Sequence, residues 1–230
     1  MRLVVFDLDG TITYRDTLFP YLTGFLKRSH RSRLRLLRVV PALAAFAIGA
    51  ADRGAVKSAV IRGSLGGATR QELAAWTQEF VPWVIGPASS PAALATIKAH
   101  RDAGDHLVLM SASTDLYVPQ IARALGFDEV ICTGVAFDSR DRLNGALTTP
   151  NRQGAEKVRC FQQLLQQHPG LATVAYGNAG SDLAHLKLAD QPRLVNASRR
   201  TLRQAAALGI APYATWLTST SAPATAPERT

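Results

Sequence analysis

MRLVVFDLDGT, the stretch at residues 1–11, decides the fold of this chain. Residues 3–6 form a continuous apolar run, which is typical of a strand buried on both faces of a sheet. Asp7 and Asp9 follow on alternate positions, and Gly10 suits a tight turn away from the sheet. Open α/β sheets bind ligands at the carboxyl edge of their strands. We therefore predict a functional site where this strand ends.

The two acids after the strand need a physical explanation. The carboxylates of Asp7 and Asp9 repel each other unless a cation or a shared proton relieves them. A metal site in which one carboxylate is also the nucleophile accounts for both acids. The alternative is a strand followed by an aspartate-rich turn, because Asp-Gly is a common turn pair. A turn needs only one of the acids, so we favour the metal site.

Composition limits the class of protein. The 230 residues are 47% apolar and 19% charged, which predicts one large domain, or a core with a smaller module, around a sizeable hydrophobic core. Cys132 and Cys160 have neither metal-ligand spacing nor a disulfide pattern, and no secretory signal precedes the first strand. We therefore expect a reducing, cytoplasmic location. The net charge of +9 predicts anionic partners, namely phosphorylated substrates, acidic lipid or nucleic acid.

Alternating strand and helix patterns from residue 90 onward predict a Rossmann-like parallel sheet with right-handed crossovers. Residues 14–87 interrupt this order with helical patterns only. We predict a core of residues 1–13 and 88–213, a helical cap at 14–87 and a disordered tail at 214–230. After the first strand, the predicted strands are 106–110, 130–135, 172–176 and, as the last, 193–195; a hairpin is predicted at 137–147.

The insertion contains an unusual basic and apolar segment. Six Lys or Arg residues lie from Lys27 to Arg38 and are followed by thirteen uncharged residues, 39–51. Such a run is too short to span a bilayer, and we expect Pro41 to bend any helix there. One interpretation is a peripheral contact with the inner membrane face. The other is a lid whose apolar face packs on the core while its basic face is solvated. Residues 52–83 are predicted to be helical, with Pro82 beginning the boundary that follows.

Polar residues follow other predicted elements in a way that suits phosphoryl transfer. Ser111 ends the second strand, Asn178 and Asp182 follow the fourth, and Lys157 lies in the first turns of a helix. A carboxylate can attack phosphorus, and a second acid can protonate the leaving oxygen and then activate water. Oxygen ligands favour Mg²⁺, while a hydroxyl, backbone N–H groups and a lysine hold phosphate oxygens.

These residues match a known family. DLDGTIT at 7–13, LVLMS at 107–111, Lys157 and the G-N-x-x-x-D pattern at 177–182 resemble, in order, the four motifs of haloacid dehalogenase-like phosphatases. The insertion after the first motif resembles the cap of the phosphoserine phosphatase-like branch (subfamily IB). The resemblance implies a Mg²⁺-dependent phosphomonoester hydrolase that forms an aspartyl-phosphate on Asp7.

The resemblance also implies residue roles. Asp7 would be the nucleophile and Asp9 the general acid/base, with the Asp9 main-chain carbonyl on Mg²⁺. Asp16 is at the position of an acid that meets the substrate amine in phosphoserine phosphatases. The implied phosphate-binding residues are Ser111, Ala112, Lys157, Gly10 and Thr11, and the implied metal site comprises Asp7, Asp9, Asn178 and Asp182.

Two departures leave the substrate open. The family usually has Asp where this chain has Asn178; the amide oxygen can still ligate Mg²⁺, but the lost charge predicts weaker metal binding. Phosphoserine phosphatases resemble this chain up to the end of the second strand, but there they have the tripeptide S-G-G where this chain has S-A-S at 111–113. That form, the basic segment and the apolar cap look more like the branch of bacterial phosphatidylglycerophosphate phosphatases. The resemblance therefore implies, as the substrate, either a small phosphoserine-like metabolite or a lipid head-group phosphate.

The rival hypothesis is a non-catalytic protein of the same fold that binds an anionic ligand, a lipid surface or nucleic acid. It is favoured by the high pI and by Asn178. Nucleic acid is not expected, because no recognisable nucleic-acid module is present and the aromatic residues do not interleave with the basic ones. The five histidines share no spacing, and we assign none of them to chemistry.

Overall fold

The computed structural model describes residues 1–29, 34, 37 and 39–216. Its strands are β1 (Leu3–Phe6), β2 (His106–Thr114), β3 (Glu129–Thr133), β4 (Val135–Phe137), β5 (Leu143–Leu147), β6 (Thr173–Gly177), β7 (Gln191–Val195) and β8 (Pro212–Ala214). Its helices are α1 (Leu18–Arg28), α2 (Val40–Ala47), α3 (Arg53–Leu65), α4 (Arg70–Ile85), α5 (Pro91–Asp102), α6 (Val118–Leu125), α7 (Ala155–Gln167), α8 (Leu183–Leu186) and α9 (Arg199–Ala207).

Six of the strands form one parallel sheet in the order β3-β2-β1-β6-β7-β8. Strand β1 lies in its interior, with Leu3 paired to His106 on one side and to Thr173 on the other. All four residues of β1 are fully buried, as their apolar run predicts. Strands β4 and β5 form a separate antiparallel hairpin. The predicted α/β fold with a parallel core sheet is confirmed.

Alternate residues of β1 belong to two different apolar clusters, because side chains point to opposite faces along a strand. Leu3 and Val5 pack with Phe161 of α7 and other residues on one face. Val4 and Phe6 belong to a larger cluster on the other face. Helices therefore cover both faces of the sheet, and this holds the carboxyl end of β1 in a buried environment.

The inserted helices pack on the larger cluster. The point where the chain leaves the core lies beside the point where it returns, since the Tyr14 N–H donates to the Ala88 carbonyl at 2.9 Å. Between these points the described residues form α1 to α4. Tyr21 and Trp76 of the insertion share their cluster with Tyr117 of the core. The cap boundaries at 14–87 stay a prediction, because the cap and the core share one hydrophobic interior.

Three predictions about the insertion are wrong. The helix predicted at 52–83 is two helices, α3 and α4, separated at Gly66 and Gly67, and a capping box between Thr69 and Glu72 starts α4. Pro82 lies inside α4 instead of marking its end. Pro41 lies in the first turn of α2, where a missing N–H costs no helical hydrogen bond, so it does not bend the helix.

Helix α2 also differs from the lid interpretation. It buries none of its residues, and Val40, Leu43 and Phe46 are exposed, as is Ile48 just beyond its end. Its apolar face therefore does not pack on the core. Most of the preceding basic run, residues 30–33, 35, 36 and 38, lies outside the described residues. In the described ranges, no helix is long and apolar enough to cross a membrane.

The carboxyl-terminal predictions need correction too. Strand β7 is not the last strand, because α9 and β8 follow it. The ring of Trp216 stacks on Tyr176 with ring centroids 5.5 Å apart. The backbone N–H of Trp216 donates to Asn196 Oδ1 at 2.7 Å. The tail predicted from residue 214 therefore begins too early, because apolar packing and hydrogen bonds hold residues 214–216. Residues 217–230 lie outside the described part of the chain.

The contact between Gly24 and Trp76 gives a test of this packing. A Cβ at Gly24 would lie 2.4 Å from Trp76 Cζ2, so an alanine cannot fit without displacing the indole. Gly→Ala within a helix ordinarily stabilises by about 1 kcal/mol, but we expect Gly24→Ala to destabilise by about 1–3 kcal/mol. Urea unfolding measures the difference.

The control is a double-mutant cycle with Trp76→Phe, which removes the indole atoms that the new methyl group would meet. Gly24→Ala should cost less in that background. Equal costs in both backgrounds would refute the proposed contact.

Candidate active site

Asp7 lies directly after β1 at the carboxyl edge of the sheet and is only 6% exposed. Lys157 Nζ donates to its Oδ1 at 2.6 Å, and Thr11 Oγ1 donates to its Oδ2 at 2.9 Å. Burial raises the pKa of Asp7 to about 7, although the positive charge of Lys157 opposes the rise. Both oxygens are thus held by defined donors, and the charged form depends on nearby positive charge.

Lys157 projects from the first turns of α7 into the same place. It is 2% exposed, and Nζ also donates to Asp182 Oδ1 at 2.8 Å. Burial alone would lower the pKa of a lysine, but the carboxylates of Asp7 and Asp182 raise that of Lys157 well above its ordinary value. Lys157 therefore stays charged between two acids and is not a solvated surface lysine.

Asp182 is held on both sides. Its Oδ2 accepts hydrogen bonds from the backbone N–H groups of Asn178 and Ala179 at 3.2 and 3.0 Å. Burial favours a higher pKa for Asp182, but Lys157 and these N–H donors keep it below the usual range. The side chain makes no capping bond to α8. Asp182 therefore orders the loop after β6 instead of capping the next helix.

Asp9 points away from this ion network toward the insertion. Its Oδ1 accepts from the N–H and the hydroxyl of Thr17, both at 2.7 Å, and its Oδ2 accepts from Ser113 Oγ at 2.6 Å. Burial raises the pKa of Asp9, and the charge of Asp16 adds to the rise. A carboxyl group with a raised pKa, held between the two sides of a cleft, can give and take a proton.

Gly10 and Asn178 fit closely together. Gly10 has φ +79°, and a Cβ there would lie 2.1 Å from Asn178 Nδ2. Only glycine permits both this left-handed turn and the approach of the amide. Asn178 Oδ1 accepts a long hydrogen bond from Thr11 Oγ1 at 3.4 Å. The turn after β1 and the loop after β6 therefore meet at the cleft.

A cleft of about 530 Å³ lies above these groups. Asp7, Lys157, Asn178 and Ala112 line it from the core, and Asp16 lines it from the insertion. Ser111 does not line the cleft: it is fully buried, and its Oγ accepts from the Ser113 N–H at 3.0 Å. Ser113 lines the cleft instead. The structure thus gathers the predicted residues at one place, but Ser111 and the fully buried Thr11 lie beneath the lining of the cleft.

Sequence reasoning missed Lys57 on α3. Its Nζ donates to the Ala112 carbonyl at 2.7 Å and to Asn151 Oδ1 at 2.5 Å, and it lines the cleft. Burial lowers the pKa of Lys57, while the carboxylates of Asp9 and Asp16 oppose this. No motif marks this lysine, because its place depends on how the insertion packs over the sheet.

Asn196 was also missed. Its Nδ2 donates to the carbonyl of Gly10 at 2.9 Å, and it has φ +52° after β7. The side chain thereby braces the turn that carries the site. An Asn in the left-handed region, directly after an apolar strand, is the only local signal for it.

The donor set fits a hard divalent cation. Asp7 and Asp182 share one buried lysine, and the nearby carboxylate of Asp9 adds to the negative charge around Asp7, so Lys157 balances that charge only in part. Oxygen donors are available from Asp7, from Asn178 and from the Asp9 backbone. Oxygen-only donor sets with few carboxylates suit Mg²⁺.

Comparisons with known proteins address the family and the fold of the chain. A sequence model of haloacid dehalogenase-like hydrolases matches residues 4–187. Protein CicA of Caulobacter vibrioides is 33% identical over 193 residues, covering 82% of this chain and 83% of that protein. The structure of a Bordetella pertussis protein of unknown function has a TM-score of 0.75 at 26% identity, covering 93% of this chain and 97% of that one.

A phospho-aspartyl intermediate analogue of phosphoserine phosphatase has a TM-score of 0.65 at 15% identity, covering 93% of this chain and 92% of that one. At this identity the similarity concerns the fold alone. Taken together, the matches confirm the predicted superfamily, the phosphoserine phosphatase-like fold and the prediction of an enzyme.

The buried Asp7 predicts a pH dependence of stability in the absence of divalent cations. Its pKa is about 7 in the folded protein against 3.8 for a free side chain, so the folded state keeps a proton that the unfolded chain has released. The stability that this proton contributes is complete below about pH 4 and is lost as the pH rises to about 7. The side chain of Asp7→Asn cannot titrate. We therefore expect the free energy of unfolding of the variant, relative to that of the wild type, to increase as the pH rises through this window.

Chemical unfolding with EDTA from pH 4 to pH 8 measures this difference at each step. Asp102→Asn is the control, because it removes an exposed carboxylate that pairs with Lys98 far from the site. A wild-type to Asp7→Asn difference that stays constant with pH would contradict the prediction.

Proposed function

Because the chain belongs to the haloacid dehalogenase-like hydrolases, we propose that it is a Mg²⁺-dependent phosphomonoester hydrolase that acts through an aspartyl-phosphate on Asp7. The observation that carries this proposal is the placement of Asp7 against Lys157, with Asp9 held nearby between Thr17 and Ser113. A nucleophile, a proton donor and a fixed cation therefore face one cleft.

In the proposed first step, a carboxylate oxygen of Asp7 attacks the substrate phosphorus. The ester P–O bond breaks, and the leaving oxygen takes a proton from Asp9. In the second step, Asp9 removes a proton from water, and the resulting hydroxide attacks the phosphorus of the aspartyl-phosphate. Phosphate leaves and the Asp7 carboxylate returns. The raised pKa of Asp9 suits it to carry this proton in both directions.

Positive charge is required for the first step, because Asp7 must be ionised to attack an anion. Lys157 supplies part of it from 2.6 Å. The residues that would hold Mg²⁺ are Asp7, Asn178 and Asp182, together with the backbone carbonyl of Asp9. The ion supplies charge neutralisation for the phosphoryl group and for the clustered acids. The phosphoryl oxygens would be held by Lys157, Ser113 and the backbone around Ala112 and Gly10, while the buried Thr11 holds the Asp7 carboxylate.

The cap side of the cleft suggests the kind of substrate. Asp16 and Lys57 bring a carboxylate and an ammonium group to its walls. Such a pair complements a small phosphomonoester that carries an amine and an anionic group. This supports a phosphoserine-like metabolite as the substrate. Ser111, behind the wall, would act by positioning the Ser113 N–H.

The exposed α2 supports a second candidate, in which the substrate is a lipid head-group phosphate. Phe46 and Ile48 are 43% and 81% exposed, and the basic run from Lys27 to Arg38 directly precedes the helix. Apolar residues next to a run of Lys and Arg suit an anionic lipid surface. We propose that this part of the cap contacts the inner membrane face.

The catalytic proposal is tested by measuring phosphate release from a panel of phosphomonoesters that includes phosphoserine and a phosphatidylglycerophosphate analogue. We expect release with Mg²⁺ and none with EDTA. Asp7→Asn should lower the rate at least about a thousandfold, because the nucleophile is lost. Asp9→Asn should also lose turnover.

Asp102→Asn serves as the matched control and should keep wild-type activity. Full activity in Asp7→Asn would refute the mechanism. Absence of release from every substrate at high Mg²⁺ would favour the rival hypothesis, a non-catalytic protein that binds an anionic ligand.

The membrane contact is tested by sedimentation with vesicles of anionic lipid. We expect binding that weakens with salt and that is lost in the double variant Phe46→Ser/Ile48→Ser, because the apolar anchor is removed. Leu208→Ser, at an exposed leucine just after α9, should bind like the wild type. Equal binding of neutral and anionic vesicles, or full binding by the double variant, would contradict the proposal.

A further inference from the structure

Three potential metal ligands meet at the amino edge of the sheet, opposite the candidate active site. His106 begins β2, Glu129 begins β3, and His168 follows the end of α7. One nitrogen from each ring and one carboxylate oxygen lie within 4.8 Å of one another. The two histidines are 62 positions apart in the chain, so only the fold brings them together.

The ligand atoms converge on one point. His106 Nε2 lies 2.7 Å and His168 Nε2 lies 2.8 Å from the same atom, Glu129 Oε1. Ligand atoms about 2.0–2.2 Å from a tetrahedral Zn²⁺ lie roughly 3.3 Å from each other. Small outward movements of the side chains would therefore admit an ion between them. The three side chains are 21–36% exposed, which leaves an approach from solvent.

A further carboxylate stands behind one of the rings. Asp128 Oδ2 lies 3.8 Å from His106 Nδ1 and is itself fixed by the Leu107 N–H at 2.8 Å. A carboxylate on the far side of a ligating imidazole favours the proton on that nitrogen and leaves the other nitrogen free for a metal. Asp128 thus favours the form of His106 in which Nε2 is free to bind the ion.

We propose that His106, Glu129 and His168 bind one divalent transition-metal ion of the Zn²⁺ type, with water completing its coordination. Two imidazoles and a carboxylate prefer such an ion, whereas the oxygen donors at the opposite edge suit Mg²⁺. The ion would join the edge strand β3 and its neighbour β2 to the end of α7. Lys157 lies about 16 Å back along the axis of α7, near the start of that helix, so the ion is structural and not catalytic.

Calorimetric titration of the metal-free full chain with Zn²⁺, in saturating Mg²⁺, tests the site. We expect one Zn²⁺ per chain in the wild type. His106→Gln and His168→Gln should each weaken Zn²⁺ binding about 100-fold or more. Loss of a residue that only hydrogen-bonds to a metal ligand already weakens binding by about 10–100-fold, and loss of the ligand itself costs more. Glutamine can still donate a hydrogen bond to Glu129, which limits damage to the fold.

Two matched variants define the location of the bound ion. Asp7→Asn should keep full Zn²⁺ affinity, because it changes only the catalytic edge, and Asp102→Asn should do the same. Zn²⁺ should raise the Tm of the wild type but not that of His168→Gln, whose Tm without Zn²⁺ reports whether it folds. No Zn²⁺ binding by the wild type, unchanged affinity in a folded His168→Gln, or loss of binding in Asp7→Asn would overturn the proposal.

Discussion

The buried ion network of Lys157 with Asp7 and Asp182 is the constraint on which the rest of the site depends. The three residues come from α7, the end of β1 and the loop after β6, and each is at most 6% exposed. Their charges are compensated only while all three segments keep their places. Loss of one partner from such a network typically costs about 3–5 kcal/mol, because it strands a buried charge. The adjacency of β1 and β6 in the sheet is therefore coupled to the position of α7.

The insertion completes this site from the other side. Thr17 holds Asp9 and Lys57 holds the Ala112 carbonyl, so the cap contributes hydrogen bonds to both carboxyl strand ends that it covers. The aromatic cluster of Tyr21, Trp76 and Tyr117 makes the cap and the core one packed unit. Movement of the cap would therefore change the surroundings of the proton-carrying group as well as the access of water.

The parts of the fold that the sequence could predict are those set by local chemistry. A strand buried on both faces needs the apolar run before Asp7, and parallel strands bring Asp7, Ser111 and Asn178 to one edge whatever lies between them. Lys57, Asn196 and the pairing of His106 with His168 depend on tertiary packing, which leaves no periodic pattern in the chain. For helix α2 the apolar run leaves open whether the helix packs on the core or faces outward, and only the structure shows that it is exposed.

Asn178 is best understood through the charge of the site as a whole. An aspartate at this position would add a carboxylate beside Asp7 and Asp182, where Lys157 is the fully buried cation. The added repulsion would further disfavour ionisation of Asp7, whose pKa burial already raises to about 7. The amide keeps an oxygen donor and its contact with Gly10 without that repulsion. Asn178 therefore attracts a divalent cation less strongly than an aspartate would, but it makes the metal-free protein more stable. This explains how the fold accepts a change at a metal-ligating position.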